Sequence, residues 1–201
     1  NHHGLMIAGE AALSNWDAGM DMYIYGKLGN LTMTKEGINV LMTNLTGKVP
    51  PILQRLDYIR FNGEAAGYLH DLTLTGLFHT GAGMVKTDVM MSIDEQSMSR
   101  TYSGSVASAD LDLGKLLNQE KKFGKVDFNV ELKGFNYKNR YPESYIKGII
   151  SSFEYSQYQY ENIMLDGVYK DGGFNGRLSM DDANGSVQID GNFNVAKTIP
   201  D

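Results

Sequence analysis

Few residues of this 201-residue chain have the type and spacing that catalysis or metal binding requires. His70 and His79 are the candidates for a general base or a metal ligand, because His2 and His3 stand at the very start of the chain and are excluded from function. Both candidates fall near the ends of predicted strands, where a solvated turn histidine is the more common case. The sequence has no cysteine, which excludes a thiol nucleophile, a thiolate metal site and a disulfide framework.

One acidic segment has oxygen atoms of the kind that bind calcium. Asp181 and Asp182 precede Asn184, but the regularly spaced acids and the final glutamate of an EF-hand are missing. A plain hairpin turn is therefore the favoured interpretation. The metalloprotease, nucleophile-elbow, Walker and dinucleotide-binding signatures are also absent from the sequence. We expect no enzymatic activity, no metal and no cofactor.

Tyrosines are frequent towards the C-terminus. Tyr155, Tyr158, Tyr160 and Tyr169 could stack on sugar rings, as in a carbohydrate-binding module. Aromatic residues also favour strands and pack against each other across half-buried sheets. We favour the second explanation, and the single tryptophan, Trp16, adds little support for sugar binding.

Apolar and polar residues alternate over most of the chain, most clearly from 145 to 195. A period of two is typical of strands with one solvated and one buried face. Turn sequences rich in Gly, Asn and Asp separate the runs at 171–173 and 181–185, which indicates hairpins. The sequence therefore predicts an antiparallel meander. The residues expected to line its apolar face in the last three strands are Ile163, Leu165, Phe174, Leu178, Ile189 and Phe193.

A short unit recurs in strand after strand: an apolar residue, any residue, then glycine. Examples run from Phe61 to Gly63, from Leu165 to Gly167 and from Phe174 to Gly176. Residues two apart in a strand share a face, so each glycine lies beside a bulky apolar neighbour. Glycine inside a strand marks a bend or a close approach. Its repetition predicts a sheet that curls with its apolar face inward.

Three segments break the alternation and predict short helices near 37–46, 51–56 and 112–118. The first has the apolar spacing of an amphipathic helix, with Thr34 as its candidate N-cap and Gly47 at its end. The apolar positions of this helix are Ile38, Leu41, Met42 and Leu45. We expect the helices to cover one end or edge of the sheet, although the first two segments could instead be irregular loops.

Length and charge limit the class of protein. A single domain over residues 1–201 is long enough for a sizeable core. The net charge of −6 and the pI near 5.2 argue against nucleic acid or an anionic membrane surface as a direct partner. The fold class that we predict is mainly β: a curled antiparallel sheet, groove-like or half-open like a barrel, with a few short helices.

Three segments of the sequence resemble the TamB branch of the AsmA-like family, in the form found in Bacteroidetes. The first is the run FEYSQYQYENIMLDGVYKDGGFNGRLSMDDANG from Phe153 to Gly185, the second is LDLGKLL from Leu111, and the third is PILQRLDYIRFNG from Pro51 to Gly63. The resemblance covers most of 37–195 and consists of strand repeats without a catalytic signature.

The resemblance implies one periplasmic segment of a much longer envelope protein. Members of the family are anchored in the inner membrane, cross the periplasm as a β-groove with an apolar lining and serve outer-membrane biogenesis. The partners implied are phospholipid acyl chains and, through the full-length protein, an outer-membrane barrel of the Omp85 type. Membrane contact would come only from regions absent from this chain. The alternative is a binding module, either a barrel for an apolar ligand or a sandwich for carbohydrate.

Overall fold

The structure is a computed structural model that describes residues 4–15, 21–94, 96–97, 99–136, 143–171 and 173–194. Within these ranges, eleven strands form a single sheet in which each strand pairs antiparallel with the next one in the sequence. The strands are β1 (Leu5–Ser14), β2 (Tyr23–Thr34), β3 (Tyr58–Tyr68), β4 (Asp71–Thr80), β5 (Gly83–Asp94), β6 (Ser99–Asp112), β7 (Phe123–Asn136), β8 (Glu143–Tyr155), β9 (Tyr158–Lys170), β10 (Gly173–Asp182) and β11 (Gly185–Asn194). The helices are α1 (Lys35–Thr46), α2 (Pro51–Gln54) and α3 (Leu113–Leu117).

The sheet is open, with β1 and β11 as its two edges. The predicted fold class, a mainly β antiparallel sheet with short helices at one end, is confirmed. Residues 9–13, whose sequence fits either a strand or a loop, belong to β1. From the sequence, the segment 139–143 with Pro142 is expected to be a loop; residues 139–142 lie outside the described ranges, and Glu143 begins β8.

All three helices lie at one end of the sheet, which we call the helical end. They connect β2 to β3 and β6 to β7, and the turns at 81–82, 156–157 and 183–184 lie at the same end. The opposite end, with the turn at 69–70, is called the open end. The sequence order of an antiparallel meander requires this arrangement, because every second connection returns to the same end.

Capping residues set the boundaries of α1 and α3, and for α1 they are the two that the sequence predicts. The Thr34 side chain accepts a hydrogen bond from the Gly37 N–H, and Gly47 ends α1 in the left-handed conformation with φ 75°. Asp112 caps α3 by accepting a hydrogen bond of 2.8 Å from the Lys115 N–H. The second helix is shorter than predicted, because Arg55 ends it after one turn.

The helices bury one small core against the sheet at the helical end. Ile38 of α1 is only 1% exposed, and Leu116 of α3 is also buried. The sheet residues in this core come from strands that are far apart in sequence; they are Met33, Ile59, Leu111 and Val126. The core therefore fastens the helices to β2, β3, β6 and β7.

The apolar stripe predicted for α1 is only partly correct. Ile38 and Met42 pack towards the core, but Leu41 is 37% exposed. In α2, Leu53 packs against the core, whereas Ile52 is 47% exposed. A short helix that lies over the rim of a sheet contacts it along a narrow line, so positions at the margin of the apolar stripe remain in solvent.

Polar contacts also tie the helices together. The Lys115 ammonium donates hydrogen bonds to the Asp57 carboxylate at 2.7 Å and to the Gly81 carbonyl at 3.1 Å. The Arg55 guanidinium donates a hydrogen bond to the Leu116 carbonyl. One cation of α3 thus joins the start of β3 to the turn between β4 and β5.

The ion pair of Asp57 predicts a pH dependence of stability. The hydrogen bond from Lys115 and its positive charge hold the pKa of the Asp57 carboxyl below its usual value. A carboxyl with a lowered pKa in the folded state stabilises the fold above its unfolded-state pKa, and this contribution disappears as the pH falls through the lowered value. Asp57→Asn should therefore lower the urea midpoint slightly at pH 7, and the difference from the parent protein should vanish in acid.

Asp71→Asn is the control, since Asp71 makes no ion pair within the described ranges. A midpoint difference for Asp57→Asn that persists unchanged in acid would contradict this explanation.

The recurring glycines make room for aromatic rings on neighbouring positions. Gly63 and Gly76 face each other across β3 and β4, and the Phe61 ring lies over both. A Cβ atom on Gly63 would lie 2.7 Å from the Phe61 ring and 2.6 Å from the Gly76 Cα. Gly167 lies under Phe174 in the same manner. This packing of rings over glycines is a known way to stabilise sheets that contain glycine.

Candidate functional site: the apolar face

The strand register collects the apolar residues of the sheet in rows that cross it from edge to edge. One row contains only apolar residues and glycine, apart from Thr87: Leu28, Gly63, Gly76, Thr87, Val106, Val130, Gly148, Leu165, Leu178 and Ile189. The next row towards the open end contains Gly26, Ala65, Leu74, Val89, Gly104, Leu132, Ile146, Gly167, Gly176 and Gly191. We call the surface that carries these rows the apolar face. It is the same surface on which the helices pack at the helical end.

The site residues predicted from the sequence lie on this face. Leu165, Leu178 and Ile189 are direct neighbours in one row. Ile163 lies one row closer to the helical end, and Phe174 lies two rows from Leu178 towards the open end. The register also places Phe193 opposite Phe174, although its side chain lies outside the description. That this face lines the concave side of a groove stays a prediction.

Within the described residues, most of the apolar face has no second layer over it. The helices cover only its helical end, and side chains such as Leu165 and Leu178 are half-buried by their neighbours within the face. The accessible surface is 13087 Å² for a mass of 22.3 kDa. A compact monomer of that mass would expose about 9,400 Å². This excess is what a single open sheet with two accessible faces would give.

The opposite face, called the polar face, carries a row of charges in register. From β1 to β11 this row contains Glu10, Lys27, Glu64, Thr75, Asp88, Ser105, Glu131, Lys147, Asp166, Arg177 and Asp190. Several neighbours pair, with Lys147 3.2 Å from Asp166 and Arg177 3.2 Å from Asp190. Hydrogen bonds from Tyr145 and Lys147 lower the pKa of the Asp166 carboxyl. The two pairs stabilise this side of the sheet locally, and the row of charges favours a solvated middle of the face, although exposed apolar side chains such as Met164 and Ile149 lie on the same face.

Shallow cavities are present on the polar face. One of about 780 Å³ crosses β7 to β11 and is lined by Glu131, Lys147, Met164 and Arg177, among others. A twisted sheet is saddle-shaped, so each of its faces is hollow along one diagonal. The charged groups in this cavity are ion-paired or exposed, and they do not form a nucleophile with an adjacent base. This cavity therefore does not indicate an active site.

The two histidines are not brought together. His70 lies in the turn at the open end, 3.7 Å from Asp21 and stacked on the Tyr68 ring. His79 lies in β4 near the helical end. In the described part of the chain, no three acidic or histidine side chains are grouped as metal ligands would be.

The acidic segment at 181–185 is a hairpin turn, as favoured from the sequence. One carboxylate oxygen of Asp182 accepts the backbone N–H of Asn184 at 2.8 Å, and the other accepts the Tyr158 hydroxyl at 2.9 Å. The hydrogen bond from the Asn184 N–H is the main cause of a lowered pKa of the Asp182 carboxyl, and the one from Tyr158 adds to it. One oxygen thus closes the turn, and the other ties it to the start of β9.

The tyrosine cluster is a set of cross-strand contacts at the helical end. The Tyr158 and Tyr160 rings lie 4.6 Å apart, and Tyr155 is 5.3 Å from Phe123. Their packing against each other agrees with the structural explanation that the sequence favoured. Tyr169 does not belong to the cluster, because it lies towards the open end, opposite Ser144 and Phe174.

Sequence analysis missed a polar group at the open end of the apolar face. The Tyr102 hydroxyl forms a hydrogen bond with the Ser144 hydroxyl. To reach it, the Tyr102 side chain passes over Gly134; a Cβ atom on Gly134 would lie 2.6 Å from the Tyr102 hydroxyl oxygen. Arg100 lies two residues before Tyr102 and therefore on the same face. The sequence does contain a signal for this group: Arg100 continues the period-two spacing of Tyr102, Gly104 and Val106, which places an arginine on the apolar face.

Comparison with known proteins gives no relative: no family model, no curated protein and no solved structure matches the chain. Among the residues described, no helix has the length and apolar character needed to cross a bilayer.

Proposed function

We propose that this chain is a segment of a periplasmic protein that guides phospholipid acyl chains along an apolar sheet face in outer-membrane biogenesis. The observation that carries the proposal is the set of uncovered apolar rows, which continue across the sheet from edge to edge. The opposite face carries a row of charged residues across its middle, two pairs of which are ion-paired. The proposal includes no catalytic step, and we expect the chain to have no enzymatic activity.

An acyl chain needs a continuous apolar surface without unpaired backbone groups. Every interior strand of this sheet is hydrogen-bonded on both sides, so the apolar face presents C–H groups and few polar atoms. Each methylene that leaves water contributes about 0.8 kcal/mol. Such contacts depend little on the identity of the lipid, which suits transport along a surface.

The register supplies a direct test with matched positions. A photo-crosslinking amino acid is introduced at Leu165, Leu178 or Ile189 on the apolar face, in a chain exported to the periplasm of a bacterial host. After irradiation, crosslinked lipids are identified by mass spectrometry. We expect capture of phospholipids with mixed headgroups, because the rows contain no side chain that could distinguish one headgroup from another.

The controls are Asp166, Ser179 and Asp190, which lie next to the test positions but on the polar face. They should capture little lipid. Equal capture from the two sets would refute the proposal, because the faces would then not differ in function. Capture of one defined small molecule from the first set would instead favour a ligand-binding module, the alternative that the sequence left open.

The wider setting of the proposal comes from the resemblance to TamB-like proteins. In that setting the full-length protein is anchored in the inner membrane and meets an Omp85-type barrel at the outer membrane. The segment itself would supply one stretch of the lipid path.

A further inference from the structure

Along each strand, the apolar face changes from polar groups at the open end to a buried apolar core at the helical end. We infer that a bound phospholipid lies parallel to the strands, with its phosphate on Arg100 at the open end and its acyl chains pointing to the helical end. This inference rests on the proposed function and adds the orientation of the lipid and the residue that binds its headgroup.

The helical end of the face cannot hold a headgroup. Its rows run into the core formed with Ile38 and Leu116, and the sheet residues there, such as Ile59 and Val126, are apolar and buried. A phosphate placed in this region would lose its water without gaining a hydrogen-bond partner, which is strongly unfavourable. Acyl ends, in contrast, fit against such a wall.

The middle of the face is equally unsuited to a charged group. In the two central rows the only side-chain polar atom is the Thr87 hydroxyl, which donates a long hydrogen bond of 3.5 Å to the Gly76 carbonyl. The other positions in these rows are aliphatic or glycine. A headgroup is therefore excluded from the central rows by the same desolvation cost.

The open end offers the missing polar groups. Arg100 is exposed, pairs in the sheet with Ile93 and Asn136, and makes no ion pair within the described ranges. Two residues inward, Tyr102 and Ser144 bring two hydroxyls together, of which one proton bonds the pair and the other remains to be donated. Arg100 and this hydroxyl pair are two residues apart along the strand direction on one face, and a phosphate accepts hydrogen bonds from both kinds of donor.

The dimensions of the face agree with this orientation. From Tyr169 to Ile163 along β9, the apolar rows extend for about 20 Å at 3.4 Å per residue. The acyl chains of one leaflet occupy about 15 Å, half of the hydrocarbon core of a bilayer. One acyl chain therefore fits between the polar groups of the open end and the core at the helical end.

Arg100→Gln tests the headgroup contact, with Arg177→Gln on the polar face as the matched control. Each protein is titrated with acyl-labelled fluorescent phosphatidylglycerol and with a diacylglycerol that carries the same acyl chains but no phosphate. We expect Arg100→Gln to weaken phosphatidylglycerol binding about three- to five-fold, as for an exposed ion pair, and to leave diacylglycerol binding unchanged. Arg177→Gln should bind both lipids like the parent chain.

Three results would overturn the headgroup assignment: no effect of Arg100→Gln, an equal effect on both lipids, or an equal effect of Arg177→Gln. Both arginines are exposed, so the variants should fold, and urea denaturation confirms this independently of binding.

The orientation is tested separately with phosphatidylglycerols that carry a photoreactive diazirine either at the acyl terminus or next to the glycerol. The terminal probe should label residues near the helical end, such as Phe128 and Ile150, and the other probe should label Tyr102 and Tyr169. The reverse pattern would overturn the orientation and leave the proposed function intact. Absence of labelling from both probes would refute the proposed function itself.

Discussion

Ile38→Ala is expected to lower the free energy of unfolding by about 2–5 kcal/mol, the usual cost of truncating a fully buried aliphatic side chain. Ile38 is 1% exposed and lies in the core that joins α1 to β2 and β3. Truncation leaves a cavity that the surrounding strands cannot fill without breaking their pairing. Urea denaturation followed by circular dichroism measures the change.

Val40→Ala is the control in the same helix, because Val40 is 46% exposed. Its effect should stay within about 0.5 kcal/mol, as for most surface substitutions. If the two variants were equally stable, α1 would not be fastened to the sheet in the way that the structure shows.

Gly104→Ala is expected to lower the free energy of unfolding by about 2–4 kcal/mol, from backbone strain together with overpacking. Gly104 has φ 142°, which L-residues rarely adopt, and a Cβ there would lie 2.7 Å from the Val89 Cα and even closer to the Asp88 carbonyl. Both neighbours are backbone atoms, so relief requires β5 and β6 to move apart. Thermal and urea denaturation report the loss.

Gly191→Ala separates the two causes. Gly191 has φ 150°, close to that of Gly104, but a Cβ there would have no atom within 4 Å. This variant should therefore suffer the backbone strain alone, about 1–3 kcal/mol. Equal losses for both variants would show that the close approach of β5 and β6 contributes nothing.

Strand and helix identity could largely be read from the sequence, because both depend on local periodicity. The period-two runs predicted the strands of the C-terminal half, and Thr34 with Gly47 predicted the limits of α1 to within two residues. The predicted site residues from Ile163 to Ile189 share a face for the same reason, since alternation fixes the face on which each side chain lies. These residues become cross-strand neighbours once each strand pairs with the next one in the sequence.

The role of the recurring glycines could be inferred only in part. The sequence placed them on the apolar face, and the structure agrees. The sequence could not show that the Phe61 ring lies over Gly63 and Gly76, because that contact joins β3 to β4 and depends on the register between them.

By itself the sequence determined a mainly β chain with two faces of opposite polarity, three short helices and no recognisable catalytic signature. Only the tertiary structure decided that the helices share one end, that Leu41 and Ile52 stay exposed there, and that the Tyr102 and Ser144 hydroxyls meet at the other end, on the face that also carries Arg100. The physical reason is that periodicity is a property of neighbouring residues, whereas these arrangements join residues tens of positions apart. Their placement depends on strand register and on which helix reaches which strand, and a local pattern carries neither.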